Sequence, residues 1–215
     1  MRDETLAEDV RNELDWDPKV DPAHISVIVE DGAVTLSGFT SSYAERWAAV
    51  SAAERVYGVQ AVADEIEVRL PDTDAKGDSA ISEALQRSFD NHVELPMSVQ
   101  AVVRDGVVTL TGEVGWRYQR SEAERLARHT RGVKDVVNRI DLKPKATAVD
   151  VEQRVGAALR RSADLDARAI WATVDDGTVH LHGHVHSFHE KEAAEDAAFA
   201  APGVSAVDNQ ITISP

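Results

Sequence analysis

Five histidines lie within ten residues near the C-terminal end of this 215-residue chain, in the segment HLHGHVHSFH (180–189). On an extended strand, residues two apart project to one side about 6–7 Å apart. His180, His182 and His184 could therefore share a transition metal such as Zn or Ni. A structural zinc site takes about four ligands, and the chain has no cysteine to supply one. The alternative is a set of exposed strand residues that bind no metal.

An arginine-rich segment, GWRYQRSEAERLARHTRG (115–132), is the second candidate site. Cationic side chains with neighbouring aromatic rings suit anionic lipid headgroups, and each basic residue near such a surface contributes about 1 kcal/mol. Glu122 and Glu124 lie at helical spacing from these arginines, so ordinary ion pairing on a solvated helix is the alternative. The candidate lipid- or anion-binding residues are Trp116, Arg117, Arg120, Arg125, Arg128 and Arg131.

Composition and motif content exclude several classes of protein. A net charge of −15 opposes broad binding to nucleic acid. The sequence contains no apolar run of membrane-spanning length, no GxSxG elbow and no phosphate-binding glycine loop. We therefore expect a non-enzymatic protein without a cofactor or a transmembrane segment. The sequence shows no signal peptide, which favours the cytoplasm, or the periplasm if a leader has been removed.

One unit occurs three times along the chain. Its copies contain VEDGAVTLSGF from Val29, VRDGVVTLTGE from Val103 and VDDGTVHLHGH from Val174. In each copy the last glycine of this segment precedes a Gly-Val pair by twenty residues. Such self-similarity indicates tandem domains, and polar, proline-containing segments place the boundaries at 1–71, 72–143 and 144–215.

Hydrophobic periodicity predicts the order αββαβ in each unit. Apolar residues recur every four positions at the start of each copy, which predicts an amphipathic helix; they are Leu6, Val10, Leu14, then Ile81, Leu85, Phe89, then Val151, Val155, Leu159. Asp-Gly pairs at 31–32, 105–106 and 176–177 predict tight hairpins between two strands. An alanine-rich helix and a third strand follow. The predicted fold class is α+β, with three two-layer domains, each a three-stranded mixed sheet with two helices on one face.

A cation recurs in the first turns of every second helix, as Arg46, Arg120 and Lys191. It either supports the local structure or contacts a ligand. The sheet faces that the helices leave open carry Thr, Ser and His. These faces are candidates for contact between units, an arrangement that would leave the helices outside.

The pattern resembles the BON (bacterial OsmY and nodulation) domain. The resemblance rests on VTLSG with Gly58-Val59, VTLTG with Gly132-Val133, and VHLHG with Gly203-Val204. It implies non-catalytic attachment to membrane phospholipid or an envelope protein, with an association with osmotic stress. The alternatives are a multivalent protein-interaction scaffold, for which weak sites in three units raise avidity, a homo-oligomer, and a metal-binding protein using the histidine strand.

Overall fold

A computed structural model describes residues 3–142, 157, 170–175, 178–201, 204 and 206–213. The first unit contains helix α1 (Asp3–Trp16), a 3-10 turn (Pro22–His24), strands β1 (Ile25–Glu30) and β2 (Ala33–Thr40), helix α2 (Tyr43–Arg55) and strand β3 (Ala61–Val68). The second unit repeats this order with α3 (Asp78–Asp90), β4 (Gln100–Arg104), β5 (Val107–Val114), α4 (Arg117–Arg128) and β6 (Asp135–Leu142).

The third unit is described from its first strand onward. It contains β7 (Ile170–Asp175), β8 (Thr178–Val185), helix α5 (Phe188–Phe199), β9 (Ala206–Asn209) and β10 (Thr212–Ile213). The predicted third strand is thus divided into two short pieces, both paired with β8. The predicted stripe Val151, Val155, Leu159, the Asp176-Gly177 pair and Gly203 lie outside the described residues.

Each sheet is mixed and has the second strand of the unit at its centre. β1 and β2 pair antiparallel, and β2 and β3 pair parallel. The same pairing joins β4, β5 and β6, and β8 lies between β7 and the β9–β10 pieces. The helix between the second and third strands provides the crossover that a parallel pair requires. The predicted α+β fold class is confirmed.

The core of each unit lies between the sheet and its helices. The stripe Leu6, Val10, Leu14 of α1 and the stripe Ile81, Leu85, Phe89 of α3 are buried, as predicted. The second helices bury only small residues, which let these helices lie close to the sheet; they are Ala48, Ala49, Ala52, Ala53, Ala123, Ala127, Ala194 and Ala198.

The Asp-Gly hairpins adopt the left-handed backbone that a type I′ turn requires. Asp31 and Gly32 have φ angles of 50° and 79°, and Asp105 and Gly106 have 54° and 81°. The first helix of each of these units secures the turn, because the Asp78 carboxylate accepts hydrogen bonds from the backbone N–H of both Asp105 and Gly106. Asp3 does the same for Asp31.

The units meet through their second helices rather than through their open sheet faces. Side chains of α4 contact α2 at one end and α5 at the other, and α2 also contacts α5. On the open faces, Ile28, Val102 and Trp171 are all more than half exposed. The expectation that the sheet faces join the units is therefore wrong for the described residues, because larger side chains of the second helices, such as Trp47, Arg117 and Arg128, form the junction instead.

Candidate functional site at the junction of the three units

The second helices α2, α4 and α5 surround one junction. In the spacing of the repeat, Glu54, Arg128 and Phe199 occupy one position, and Trp47, Ser121 and Glu192 occupy another. These two positions meet between the first and second units, where Arg128 lies over the Trp47 ring, and between the first and third units, where the charge of Glu192 acts on Glu54. The second and third units meet through Arg117 instead.

The contact between the first and second units includes a cation–π pair and an ion pair in which Arg46 Nη1 lies 4.0 Å from Asp135 Oδ1. The Arg128 guanidinium carbon lies 3.6 Å from the centroid of the Trp47 ring. Tyr43 packs against the core of the second unit, and burial raises the pKa of its hydroxyl, with the Asp135 and Glu124 charges adding to the effect. Because both sides are partly desolvated, this cation–π contact is stronger than an exposed one.

The contact between the second and third units is ionic. Arg117 Nη1 lies 3.0 Å from Glu195 Oε1, and Arg117 Nε lies 2.7 Å from Asp196 Oδ1. The same guanidinium stacks over Phe199 at 4.6 Å from the ring centroid. Arg117 therefore holds α5 against the start of α4.

The contact between the first and third units places two carboxylates together. Burial, together with the charges of Glu192 and Asp64, raises the pKa of Glu54 to about 7. Burial also raises the pKa of Glu192, with contributions from Asp196 and Glu195. Beside this pair, the Gly58 N–H donates to the His186 carbonyl at 3.1 Å. This contact is the least favourable of the three when both carboxylates are ionised.

A cleft of about 1250 Å³ opens between the helices at this junction. All three units contribute to its lining, and the aromatic residues in that lining are Trp47, Trp116, Tyr118 and Phe199. The cations Lys19, Arg117, Arg125 and Arg128 line it as well, together with the acids Asp21, Glu45, Glu122 and Asp196. The cleft is therefore amphipathic.

The structure brings four of the six predicted anion-binding residues together along this cleft: Trp116, Arg117, Arg125 and Arg128. Arg125 pairs with Glu122 at 2.6 Å, and the hydrogen bonds from Arg125 lower the pKa of that carboxyl. Arg120 and Arg131 lie outside the lining. Arg120 Nη2 donates to the Asn138 carbonyl at 3.5 Å, while Arg131 is largely exposed and lies 3.8 Å from Asp74. Most of these arginines thus already have partners within the chain.

The recurring cation of the second helix contacts the third strand of its own unit. Arg46 Nε donates to Asp64 Oδ2 at 2.8 Å, and Lys191 Nζ donates to the Ile211 carbonyl at 2.7 Å. Together with the Arg120 bond, these contacts support the structural alternative for the repeated charge. A ligand role is not needed to account for it.

Four large apolar side chains are exposed at one edge of the second unit, which we call the apolar edge: Val93, Met97, Trp116 and Tyr118. Val93 and Met97 are 100% exposed, Trp116 is 44% exposed and Tyr118 is 52% exposed. Two contacts hold the loop before β4 against α4. Gln119 Nε2 donates to the Glu94 carbonyl at 2.8 Å, and His92 Nε2 lies 2.8 Å from Glu122 Oε1. Sequence reasoning identified the two aromatic residues but missed Val93 and Met97.

The strand histidines lie on the sheet face opposite the helices. His180 Nδ1 lies 3.0 Å from Asp208 Oδ2, which lowers the pKa of that carboxyl. The His182 ring stacks on Trp171 with 5.7 Å between centroids, and His184 is exposed. Within the described ranges, no group of three or more His, Asp or Glu side chains is placed to hold a metal ion. The metal role of His180, His182 and His184 stays a prediction.

No helix in the described part of the chain has the length and apolar character needed to cross a membrane.

The chain was compared with known proteins. It is 35% identical over 154 residues to osmotically-inducible protein Y of Escherichia coli (strain K12), an alignment that covers 67% of this chain and 74% of that protein. The C-terminal domain of CdsD, a structural protein of the Type III secretion system of Chlamydia trachomatis, is 14% identical over the whole of both chains with a TM-score of 0.27. A second CdsD structure is also 14% identical, covers 98% of this chain and 93% of its own, and has a TM-score of 0.26. TM-scores this low support no conclusion about the fold or function of this chain.

The BON domain model matches this chain three times, at residues 2–69, 77–144 and 147–215. These matches agree with the three copies of the strand, Leu-x-Gly, helix and Gly-Val pattern. The chain therefore belongs to the BON domain family, as a tandem of three BON domains.

Proposed function

We propose that this protein is a non-enzymatic attachment protein that binds anionic phospholipid membranes through the apolar edge of its second unit. The observation that carries the proposal is the grouping of Val93, Met97, Trp116 and Tyr118 as exposed apolar side chains on two segments held together by hydrogen bonds. Apolar side chains gain free energy when they leave water, and tryptophan and tyrosine favour the membrane interface.

Charge supports the choice of the second unit. The chain has a net charge of −15, which repels an anionic surface. The second unit is nearly neutral, since its acids and bases are almost equal in number, whereas the other two units carry most of the negative charge. Arg125 lies on α4, C-terminal to Trp116 and Tyr118. Arg131 follows the end of that helix, and its side chain is 79% exposed. These two arginines are available to contact headgroups without breaking a contact between units.

The similarity to osmotically-inducible protein Y supports a role in osmotic stress. A membrane-surface protein could respond to such stress because osmotic changes act directly on the envelope. The role in osmotic stress is therefore part of the same proposal. The protein-interaction scaffold remains the alternative, and the membrane experiment separates the two.

Liposome co-flotation tests the proposal. We expect the wild-type protein to float with vesicles of phosphatidylglycerol and phosphatidylcholine at low salt, and to float less at high salt because salt screens the arginines. The variant Arg125→Glu/Arg131→Glu should reduce flotation at least fivefold. Arg87→Glu, on the exposed face of α3, is the matched charge control and should reduce it far less. Absence of flotation under every condition would contradict the proposal and favour a protein partner.

A further inference from the structure

Arg128 combines partial burial with an unused capacity to donate hydrogen bonds. Its guanidinium makes no hydrogen bond and no ion pair within the described residues, and its Nε is buried without a partner. Burial lowers the pKa of this guanidinium, which reflects the cost of removing it from water. A guanidinium has five N–H donors, and a cation in such a place is usually paired. The Trp47 ring covers the flat face of the guanidinium. The N–H groups at the edge of the guanidinium have no hydrogen-bond acceptor among the described residues.

The other arginines of the cleft differ from Arg128 in this respect. Arg117 is held by Glu195 and Asp196, and Arg125 is held by Glu122. Among the arginines in the described lining of the cleft, Arg128 is therefore the one whose guanidinium has no hydrogen-bonded carboxylate, although the charge of Glu124 acts on it. Fork-shaped donors of this kind bind carboxylate and phosphate groups with paired hydrogen bonds.

The rest of the cleft suits an apolar group. Trp47, Trp116, Tyr118 and Phe199 supply aromatic surface around about 1250 Å³ of space. Ligand sites commonly have volumes of roughly 300–1,000 Å³ and combine an apolar lining with a few polar groups that fix orientation. This cleft is large enough for a ligand with an extended tail.

We infer that the junction cleft binds one monomeric amphiphile, with its carboxylate or phosphate head on Arg128 and its hydrocarbon tail along the aromatic lining. This site shares Trp116 and Tyr118 with the apolar edge and differs from it in its use of Arg128 and the three-unit junction. The bound molecule would contact all three units. Its binding would therefore also stabilise their arrangement.

Isothermal titration calorimetry of the full chain with dodecanoate, below its micellar concentration, tests the inference. We expect saturable binding of one dodecanoate per chain. Dodecyl phosphate should also bind, whereas dodecanol, acetate and inorganic phosphate should bind at least tenfold more weakly because each lacks the charged head or the tail. Absence of saturable dodecanoate binding would overturn the inference.

Two variants locate the site. Arg128→Gln should weaken dodecanoate binding at least tenfold without changing dodecanol binding, and Arg87→Gln is the control that should change neither. Ser121→Trp should abolish binding of dodecanoate by filling the cleft while leaving Arg128 in place. The first unit carries Trp47 at the equivalent position, so a similar helix already accommodates this side chain. Unchanged dodecanoate affinity in both variants would overturn the inference.

A further variant separates failure of the cleft assignment from failure of the membrane proposal. Val93 and Met97 lie outside the cleft lining. Val93→Asp/Met97→Asp should therefore lose flotation on vesicles while it retains wild-type affinity for dodecanoate. Loss of dodecanoate binding in this variant, with the fold intact by circular dichroism, would overturn the cleft assignment.

Discussion

At the residue scale, one polar side chain on the third strand ties that strand to the second helix. Asn138 Nδ2 donates to the Arg120 carbonyl at 3.3 Å and to Glu124 Oε2 at 2.9 Å, and its Oδ1 accepts from the Ile140 N–H at 3.2 Å. Asn209 makes the corresponding bonds in the third unit, and Asp64 accepts from Ile66 in the first. The bonds to the second helix thus recur in the second and third units, and the bond from the backbone N–H two residues later recurs in all three.

Replacement of Asn138 by alanine tests this tie. Asn138→Ala leaves partly buried donors and acceptors without partners, and we expect a loss of about 1–2 kcal/mol in the free energy of unfolding. Urea denaturation followed by far-ultraviolet circular dichroism measures the change. Gln100→Ala, at an exposed position on β4, is the control and should stay within about 0.5 kcal/mol of wild type. Equal effects of the two substitutions would contradict the account.

The sequence predicted some of these residues and missed others for physical reasons. The recurring cation at Arg46, Arg120 and Lys191 is visible because it repeats, but a repeat cannot show which group it contacts. Val93 and Met97 were missed because they lie between regular elements, where periodicity gives no signal. Comparison of the copies would have found them, since the equivalent positions carry Lys19 and Ala23 in the first copy and Asp164 and Arg168 in the third. A large apolar residue that occurs in one copy alone is not required by the shared fold.

At the element scale, the glycine of the Leu-x-Gly motif is required by the approach of a neighbouring backbone. Gly38 has a φ of 122°, and a Cβ at this position would overlap the carbonyl oxygen of His24. Gly112 has a φ of 126° and faces the carbonyl oxygen of Ser98 in the same way. The glycine therefore lets the 3-10 turn and its counterpart lie against the central strand.

Gly38→Ala should destabilise the first unit by about 2–4 kcal/mol, because the methyl group adds both backbone strain and overlap with main-chain atoms. Urea denaturation monitored by circular dichroism measures the loss. Gly115→Ala is the matched control, since a Cβ there meets no atom within 4 Å. A change of less than about 1 kcal/mol for Gly38→Ala would contradict this explanation of the motif.

The order of elements was predictable because their signals are local. Four-residue spacing in Leu6, Val10 and Leu14 and the Asp31-Gly32 turn each specify structure within a few residues, and the structure confirms both. The division of the last strand of the third unit was not predicted. Val207, Ile211 and Ile213 read as one apolar strand, whereas the structure has two pieces, Ala206–Asn209 and Thr212–Ile213.

At the scale of the whole molecule, the second helices close three units around one junction with unequal contacts. A cation–π pair joins the first two units and ion pairs join the second and third, whereas the carboxylates Glu54 and Glu192 approach each other between the first and third. This arrangement could not be predicted from periodicity, because the residues at the junction differ between copies. For example, one equivalent position is aromatic in the first copy, a hydroxyl in the second and an acid in the third: Trp47, Ser121 and Glu192.

Glu54 should make stability depend on pH. Its pKa of about 7 in the folded protein lies above the ordinary value of 4.5. The folded state therefore binds more protons than the unfolded state between these values, and stability falls as pH rises through this window. Glu54→Gln removes the charge and should be more stable than wild type by about 1 kcal/mol at pH 8, a value reduced for solvent screening of a partly exposed group. Urea denaturation at pH 4 and pH 8 measures the difference.

Near pH 4 the two proteins should have equal stability, because Glu54 is then protonated in both states. Glu192, Asp64 and Asp196 are present in both proteins, and the repulsion of Glu54 by Glu192 and Asp64 is part of the effect that Glu54→Gln removes. A stability difference that is independent of pH would show that Glu54 acts through packing rather than charge.

The central claim is that the apolar edge of the second unit enters the membrane interface. The chain has no cysteine, so Met97→Cys provides a single site for labelling with the environment-sensitive dye nitrobenzoxadiazole. We predict a blue shift and increased emission of this label when phosphatidylglycerol vesicles are added, and no change for the same label at Glu83→Cys on the exposed face of α3. Flotation of the labelled protein without a spectral change at Met97→Cys, or with equal changes at both positions, would contradict the claim.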